Sequence, residues 1–218
     1  LFVGESGVGK TELAKQLAHA IYPGMEAFIK LDMSEFNESF GVSKLLGSPA
    51  GYVGYREANQ FTDRLKMNPY SVVLFDEIDK AHRDVTKLLL QILENGEITD
   101  ATGKKISLKN AIIVLTTSWG AEQAKKGALG FGNSAIAEAE TKRRLIEKLK
   151  EYFSPELINR LDGVCVFKTL SPQDLTKIAE LEINQLNERL KNYATSVNHS
   201  QKTLEELIKN LPVKKANA

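Results

Sequence analysis

The sequence predicts an α/β fold, in which a five-stranded parallel sheet flanked by helices is followed by a small helical domain. Two observations support this prediction. Up to residue 168 of the 218 residues, short apolar runs alternate with helical patterns, as in a doubly wound sheet. Beyond that point only helical patterns follow. We therefore expect a large domain over residues 1–168 and the beginning of a small helical domain over residues 169–218.

Five apolar runs predict the strands, and the segments between them predict the helices. The expected strands are 1–3, 27–31, 71–75, 111–116 and 164–167. The expected helices are 10–20, 60–66, 85–94 and 140–153 in the large domain, and 172–193 and 203–211 in the small one. A short hairpin is expected over residues 97–107, with its turn at residues 100–103.

Composition and charge exclude several classes of protein. Hydrophobic residues make up 42% of the chain and charged residues 26%, which is ordinary for a soluble globular protein. The net charge of +1 gives no reason to expect nucleic acid or an acidic surface as the main partner. No apolar run approaches the ~18 residues of a membrane span, and no signal peptide opens the sequence. We therefore expect a soluble, cytoplasmic protein that binds neither nucleic acid nor membrane.

The single cysteine, Cys165, excludes an internal disulfide and fits a reducing compartment. Because it lies in the apolar run 164–167, we expect its thiol to be buried and unreactive. The chain begins only three residues before the first functional motif, so we also expect it to be a piece of a longer protein.

The most informative motif is a complete G-x-x-x-x-G-K-[ST] phosphate loop between an apolar run and a helical pattern. Its glycines let backbone N–H groups and the helix N-terminus face a polyphosphate. The lysine then meets the outer phosphates, and the threonine hydroxyl can ligate Mg²⁺. The alternative is a glycine-rich turn that caps an ordinary helix. The motif consists of Gly4, Glu5, Ser6, Gly7, Val8, Gly9, Lys10 and Thr11.

Two acidic residues, Asp76 and Glu77, follow the apolar run 72–75. They lie at the carboxyl end of a predicted buried strand, where open α/β sheets bind ligands. Asp76 is expected to hold Mg²⁺, mostly through its water shell. Glu77 is expected to act as a general base or to orient the attacking water. The alternative is an acidic cap between a strand and a helix. Together with the phosphate loop, the two acids predict a site for ATP and Mg²⁺.

These motifs resemble the Clp/heat-shock family of AAA+ unfoldases. The similarity also rests on D-M-S-E-F at 32–36, L-G-S-P-A-G-Y-V-G-Y at 46–55 and N-P-Y-S-V-V-L-F-D-E-I at 68–78. It runs from residue 1 to residue 190 and is strongest to the second ATPase domain of the two-ring members ClpA, ClpB and ClpC. The resemblance implies an AAA+ P-loop fold and an ATP-hydrolysing subunit of a homohexameric ring. Such a ring threads unfolded or tagged protein substrates through its pore, in some cases with adaptor proteins.

The resemblance also implies a substrate-gripping pore loop. Gly51, Tyr52, Val53 and Gly54 match this loop, whose aromatic ring contacts any threaded polypeptide without demanding a particular sequence. The alternative is a tyrosine packed into the core from a glycine-rich turn.

Arg160 matches the arginine finger of the family, which stabilises charge on the phosphoryl group in a neighbouring subunit's site. The alternative is an arginine neutralised by Asp162.

The sequence departs from the family at two sensors. Ser118 stands where the family has asparagine, so either hydrolysis is slowed or Thr117 shares the role. No Gly-Ala-Arg triplet follows residue 170, so the second sensor arginine is replaced or lies beyond the end of this chain.

Leu129, Gly130 and Phe131 match the hydrophobic-Gly-hydrophobic tripeptide with which some family members dock onto a ClpP-type peptidase. The alternative is a loop whose leucine and phenylalanine fold back onto the domain. The tripeptide favours a ClpC- or ClpA-like protein over a ClpB-like disaggregase that works without a peptidase. A third interpretation is an ATP-binding module that is idle in isolation.

Overall fold

A computed structural model of the chain describes residues 1–23, 26–47, 60–120, 135–193 and 195–210. The chain divides into two compact units, Leu1–Lys168 and Thr169–Ala218. In the described ranges, no helix combines the length and the apolar character that crossing a bilayer requires.

Five strands of the first unit form one parallel sheet, which confirms the predicted α/β fold. These strands are β1 (Phe2–Val3), β2 (Phe28–Asp32), β3 (Val72–Asp76), β6 (Ile112–Thr117) and β7 (Cys165–Val166). Their order is β2-β3-β6-β1-β7, and every neighbouring pair is parallel. The predicted hairpin is also confirmed, because β4 (Glu97–Thr99) and β5 (Lys105–Ser107) pair in antiparallel fashion. The carboxyl ends of β1, β3 and β6 therefore meet at one edge of the sheet.

Three strands extend one residue beyond their predicted carboxyl ends. The sequence pattern places each end at the last apolar residue, whereas strand pairing depends on the backbone. Asp32 of β2 pairs with Asp76 of β3, so the ladder continues into polar residues. Thr117 of β6 likewise pairs with Val3 of β1. The polar ends of these strands are thereby held in register beside one another.

The helices of the first unit lie close to the predicted positions, with two short additions. Helix α5 begins five residues earlier than predicted, in the alanine-rich stretch A-I-A-E-A-E that favours helix. Helices α2 and α6 were not predicted, because segments of five or six residues are too short for a clear helical period. The helices are α1 (Lys10–Ile21), α2 (Gly41–Leu46), α3 (Gln60–Met67), α4 (Arg83–Asn95), α5 (Ala135–Tyr152) and α6 (Pro155–Asn159), with 3₁₀ turns at Met33–Phe36 and Ile78–Lys80.

The central strand β3 is buried on both faces, as expected for a parallel sheet covered by helices. Val72 and Leu74 pack in a cluster with Ala14 and Ala18 of α1. Their neighbours in the strand face the opposite side and join the larger core cluster with α4. Because successive strand residues point to opposite faces, this alternation places the acidic end of β3 between two packed layers.

The predicted burial of Cys165 is wrong, because its side chain is exposed. Strand β7 is the edge strand of the sheet and pairs only with β1 among the described strands. Cys165 and Val166 are both exposed in this short strand. An apolar run predicts a strand here, but it does not distinguish an edge from a central position.

The regular structure of the second unit, over its described residues, is helical: α7 (Pro172–Leu190), a 3₁₀ turn at Lys191–Tyr193 and α8 (Gln201–Asn210). Helix α7 begins with a capping box, in which Ser171 and Asp174 satisfy each other's backbone N–H groups, and with Pro172 at its first position. This confirms the predicted helix start.

Candidate active site

The phosphate loop joins the end of β1 to the start of α1 and depends on two left-handed glycines. Gly7 has φ +83° and Gly9, the N-cap of α1, has φ +94°. A Cβ added at either position would meet no heavy atom of the described residues within 4 Å, so the requirement for glycine is conformational. Gly4 is required for a different reason, because a Cβ there would lie 2.7 Å from Cβ of Phe167.

Lys10 lies within the phosphate loop rather than at the protein surface. Its side chain is buried, and Nζ donates hydrogen bonds of 2.7 Å to the carbonyl oxygens of Gly4 and Glu5. Burial lowers the pKa of Lys10, while the charges of Asp76 and Glu77 partly offset this effect. The loop therefore holds a buried cationic group next to the acidic end of β3.

Asp76 is the centre of the candidate site, and three side chains bind its carboxylate. Thr11 donates to it from α1, at 3.1 Å to Oδ1 and 3.0 Å to Oδ2. Thr116 of β6 donates to Oδ1 at 2.5 Å, and Lys30 Nζ of β2 lies 2.9 Å from Oδ2. Burial alone would raise the pKa of Asp76, but the hydrogen bonds from Lys30, Thr116 and Thr11 outweigh it and hold this pKa below its ordinary value. The carboxylate is therefore ionised at neutral pH.

Glu77 adopts a strained backbone conformation directly after Asp76. Among the described residues it is the one non-glycine residue with a positive φ, at +58°. Such a conformation costs on the order of 1–3 kcal/mol and is found mainly where function requires it. The Glu77 N–H donates to Oγ1 of Thr116 at 2.9 Å, and its carboxylate pairs with Lys80 at 2.5 Å. The bend separates the side chain of Glu77 from the line of β3 and leaves it partly exposed.

The end of β6 supplies the two residues considered as sensors. Thr117 is buried, and its hydroxyl donates to Asp79 at 2.6 Å while it accepts the N–H of Trp119 at 3.0 Å. Ser118 is half-buried one residue further along. Tyr152 of α5 donates to the carbonyl oxygen of Asp79 at 2.9 Å and stacks on Trp119 at 4.6 Å between ring centroids. The hydroxyl of Thr117 is thus already engaged, which favours Ser118 for contact with a ligand.

Arg160 lies at the C-cap of α6, and its side chain is 53% exposed. It pairs with Glu94 near the end of α4, with 3.2 Å between the guanidinium and Oε1. The sequence suggested Asp162 as the ion-pair partner of Arg160, whereas in the structure the partner is Glu94. An exposed ion pair of this kind is worth about 0–1 kcal/mol, so the guanidinium can leave it at low cost.

Two predicted sites lie outside the described residues. They are the pore-loop candidates Gly51, Tyr52, Val53 and Gly54, and the docking tripeptide Leu129, Gly130 and Phe131.

Lys30 and Thr116 belong to the site but were not predicted from the sequence. Lys30 stands two residues before Asp32, which pairs with Asp76, so strand register would have placed it near the acidic end of β3. Thr116 begins the polar end of β6, the strand next to β3. The sequence feature that could have predicted these two residues is therefore the set of polar residues at the carboxyl ends of adjacent strands.

The donor set of this site fits a nucleoside triphosphate with Mg²⁺. The loop has free space next to its two left-handed glycines, and Lys10 supplies a cationic group. The Thr11 hydroxyl and the Asp76 carboxylate lie side by side and supply hard oxygen ligands. Within the described ranges, no cluster of three His, Cys, Asp or Glu residues could hold a metal by itself. Mg²⁺ at such a site needs phosphate oxygens to complete its ligands, which is its usual mode with nucleotides.

Comparison with known proteins gives the family. The AAA domain (Cdc48 subfamily) family matches residues 1–164, and the chain belongs to this family. The match includes the phosphate loop, Asp76, Glu77 and Arg160.

Its relatives include ATP-binding subunits of Clp proteases. ClpE of Lactococcus lactis is 45% identical over 208 residues, covering 95% of this chain and 27% of that protein. ClpE of Bacillus subtilis is 43% identical, covering 95% and 29%, and the chloroplastic chaperone ClpC2 of Oryza sativa is 42% identical, covering 95% and 23%. This chain thus spans less than a third of the length of these relatives.

Solved structures of Hsp104 share the fold. A closed-state cryo-electron-microscopy reconstruction of Hsp104 with ATPγS and FITC-casein has a TM-score of 0.80 and 37% sequence identity. The extended conformation of the Saccharomyces cerevisiae Hsp104–casein complex has a TM-score of 0.79 at the same identity. Each alignment covers 95% of this chain and 35% of the Hsp104 chain.

Proposed function

We propose that this chain is the ATPase module of a protein unfoldase, a homohexameric ring that uses ATP and Mg²⁺ to thread polypeptide through its pore. The observation that carries the proposal is the contact between Thr11 and Asp76. It joins the phosphate loop to the acidic end of β3 across 65 residues of sequence. The names of the relatives, ATP-binding subunits of ATP-dependent Clp proteases, support the same function.

In this proposal the unit Leu1–Lys168 is the large AAA+ domain, and the helical residues from Thr169 onward begin its small domain. A cytoplasmic location is also part of the proposal, because a lone cysteine suits a reducing compartment.

The chemistry assigned to the site is hydrolysis of the terminal phosphoanhydride. When bound, ATP supplies the scissile bond, and Mg²⁺ neutralises charge on its phosphates. The loop N–H groups and Lys10 would bind phosphate oxygens, while Thr11 and Asp76 would hold the metal. Glu77 orients the attacking water and accepts its proton. Ser118 donates a hydrogen bond toward the reacting phosphoryl group.

Arg160 is proposed to act in the site of a neighbouring subunit. Its exposure and its weak pairing with Glu94 support this role, because an arginine finger must exchange its resting partner for phosphate oxygens. Activity should therefore depend on ring assembly.

We further propose that Tyr52, with Gly51, Val53 and Gly54, grips the threaded substrate. Leu129, Gly130 and Phe131 are proposed to dock onto a ClpP-type peptidase. The relatives named as Clp protease subunits support the peptidase, and the Hsp104 structures, which contain casein, support threading of unfolded protein. Adaptor proteins that deliver substrates are part of the same proposal.

A disaggregase that works without a peptidase is the second candidate. It is favoured by the similarity to Hsp104, at 37% identity over 95% of this chain, because that complex contains Hsp104 with ATPγS and casein. Deleting Leu129–Phe131 from the full-length protein discriminates the two. Loss of degradation by the peptidase with ATP turnover retained supports docking, and unchanged degradation contradicts it.

The experiment that tests ATPase function is the Glu77→Gln substitution. This variant should still bind ATP, because the phosphate loop is intact, but it should lose turnover. Glu38→Gln is a matched control, because Glu38 is an exposed glutamate on a loop outside the site. Turnover retained in the Glu77→Gln variant would contradict the proposed mechanism. A wild-type chain that binds ATP at every concentration but never hydrolyses it would support the idle module instead.

A further inference from the structure

One buried hydroxyl, that of Thr116, contacts both acidic residues of the candidate site. Thr116 lies in β6 beside the end of β3 and is completely buried. Its Oγ1 donates to Oδ1 of Asp76 at 2.5 Å and accepts the backbone N–H of Glu77 at 2.9 Å. A hydroxyl has one proton to donate and lone pairs to accept with, so both bonds can exist at once. The Thr116 hydroxyl thus donates to one residue of the site and accepts from the next residue in sequence.

The bond to Glu77 falls at the point where the backbone is strained. Glu77 leaves β3 in a left-handed conformation that non-glycine residues rarely adopt. Its N–H is bonded by a side chain of the neighbouring strand. Without that acceptor, the partly buried N–H of Glu77 would lose its hydrogen bond. Because the backbone of Glu77 is already strained, we expect it to relax to a more favourable conformation.

The bond to Asp76 is one of the contacts, from three side chains, that orient its carboxylate. Thr11 contacts both carboxylate oxygens and Lys30 contacts Oδ2, whereas Thr116 contacts Oδ1 from the opposite strand. Lys30 is half exposed and can rotate, but Thr116 is fixed by the sheet. Of Lys30 and Thr116, Thr116 is thus the more rigidly held.

We propose that Thr116 is a positioning residue for the hydrolytic reaction, whose single hydroxyl orients the Asp76 carboxylate and the Glu77 bend together. This inference rests on the proposed roles of Asp76 and Glu77. It assigns to β6 a second contribution beside the sensor position, since a shift of β6 relative to β3 would change both acids at the same time.

Three substitutions test the proposal. Thr116→Val keeps the shape and removes the hydroxyl, whereas Thr116→Ser keeps the hydroxyl and removes the methyl group. Ser71→Ala is the matched control, because the Ser71 hydroxyl is equally buried, lies next to β3 and has no hydrogen-bond partner among the described residues. Thermal unfolding of each variant checks that the fold is retained.

The first readout is hydrogen exchange of the Glu77 amide, measured residue by residue by NMR, and it does not depend on turnover. We expect Thr116→Val to accelerate this exchange by about tenfold or more, because a buried hydrogen bond is lost. Thr116→Ser and Ser71→Ala should exchange at the wild-type rate. Equal rates in the Val and wild-type proteins would overturn the proposal. If the Val variant does not fold, accelerated exchange in the Ser variant would also overturn it, since the methyl group would then be responsible.

The second readout is steady-state ATP turnover. Thr116→Val should lower kcat by about 10²-fold, as expected for a misplaced catalytic group, with KM changed by little. Thr116→Ser should restore most of kcat. A Val variant with wild-type kcat, or a Ser variant as slow as the Val variant, would contradict positioning by the hydroxyl. If the wild-type chain itself shows no turnover, the proposed function fails, and the exchange experiment still decides the role of Thr116.

Discussion

Lys30 Nζ lies 2.9 Å from Oδ2 of Asp76, so the carboxylate at the end of β3 has a cationic neighbour on β2. The hydrogen bond to Asp76 raises the pKa of Lys30, although burial opposes the shift. The same bond helps to keep the pKa of Asp76 below its ordinary value of 3.8 against the opposing effect of burial. The two residues therefore stabilise each other's charged forms.

The pairing of Lys30 with Asp76 predicts a pH-dependent contribution to stability. Because the pKa of Asp76 is lower in the folded state, the contribution is present above the unfolded pKa and is lost as pH falls through the folded one. Lys30→Gln should lower the free energy of unfolding by about 1 kcal/mol at pH 7. The difference should begin to shrink as pH falls below 3.8 and should disappear once pH is below the folded pKa, where Asp76 is protonated. Urea unfolding across this pH range measures it.

Lys15→Gln is the control for that measurement, since Lys15 is exposed on α1 and outside the site. This substitution removes the same charge and should change the free energy of unfolding by less than about 0.5 kcal/mol. A Lys30→Gln effect that does not shrink at all as the pH is lowered from 7 through the acid range would show that Lys30 acts through packing of its aliphatic stem instead.

The left-handed Gly9 predicts a specific cost for substitution in the phosphate loop. Gly9→Ala should lower the free energy of unfolding by about 1–2 kcal/mol, because the added Cβ strains the backbone although it meets no neighbour. It should also weaken ATP binding, since the loop N–H groups would turn away from the phosphates. Gly163→Ala is the control, because that glycine also has open space but no left-handed φ. Equal effects of the two substitutions on ATP affinity would contradict the conformational argument.

The serine at position 118 predicts that hydrolysis can be improved. Ser118→Asn should raise kcat several-fold, up to about tenfold, because an amide reaches further and has two polar atoms. Ser118→Ala should lower kcat by about tenfold or more, because the hydrogen-bond donor is lost. Steady-state turnover at saturating ATP measures both changes. If the alanine variant hydrolyses ATP at the wild-type rate, then Ser118 is not the sensor.

The exposed position of Arg160 predicts complementation between two inactive variants. Arg160→Ala should reduce turnover by about 10³-fold, whereas Arg189→Ala, at another exposed arginine, should not. A ring that mixes Arg160→Ala with Glu77→Gln subunits contains sites with an intact Glu77 that face an intact Arg160. In an equal random mixture such sites make up about a quarter of the total, so about a quarter of wild-type turnover should return. No recovery on mixing would place the action of Arg160 within its own subunit.

The parts of the fold that depend on local pattern could be predicted from the sequence. The five parallel strands and the hairpin follow from apolar runs, and the start of α7 follows from Ser171 and Pro172. The exposure of Cys165 could not be predicted, because an apolar run does not reveal whether its strand is at the edge of the sheet. Short helices such as α2 also lack a period long enough to recognise.

The candidate site was predictable where a motif is contiguous and unpredictable where contacts cross strands. The phosphate loop and the pair Asp76 and Glu77 can be read directly from the sequence. The hydroxyl of Thr116 and the ammonium of Lys30 approach Asp76 only because β2, β3 and β6 are adjacent in the sheet. The resting partner of Arg160, Glu94, is 66 residues away and depends on how α4 packs near α6.

The pairing of Glu94 with Arg160 has a consequence for how neighbouring sites communicate. Helix α4 follows the His82 cap, a few residues after Glu77, and its 13 residues, about 20 Å, end one residue beyond Glu94. Its buried apolar face packs in the core, so we expect the helix to move as a rigid body. If Arg160 works in the adjacent subunit as proposed, a single helix connects the segment that follows Glu77 in one site to the arginine that acts in the next site.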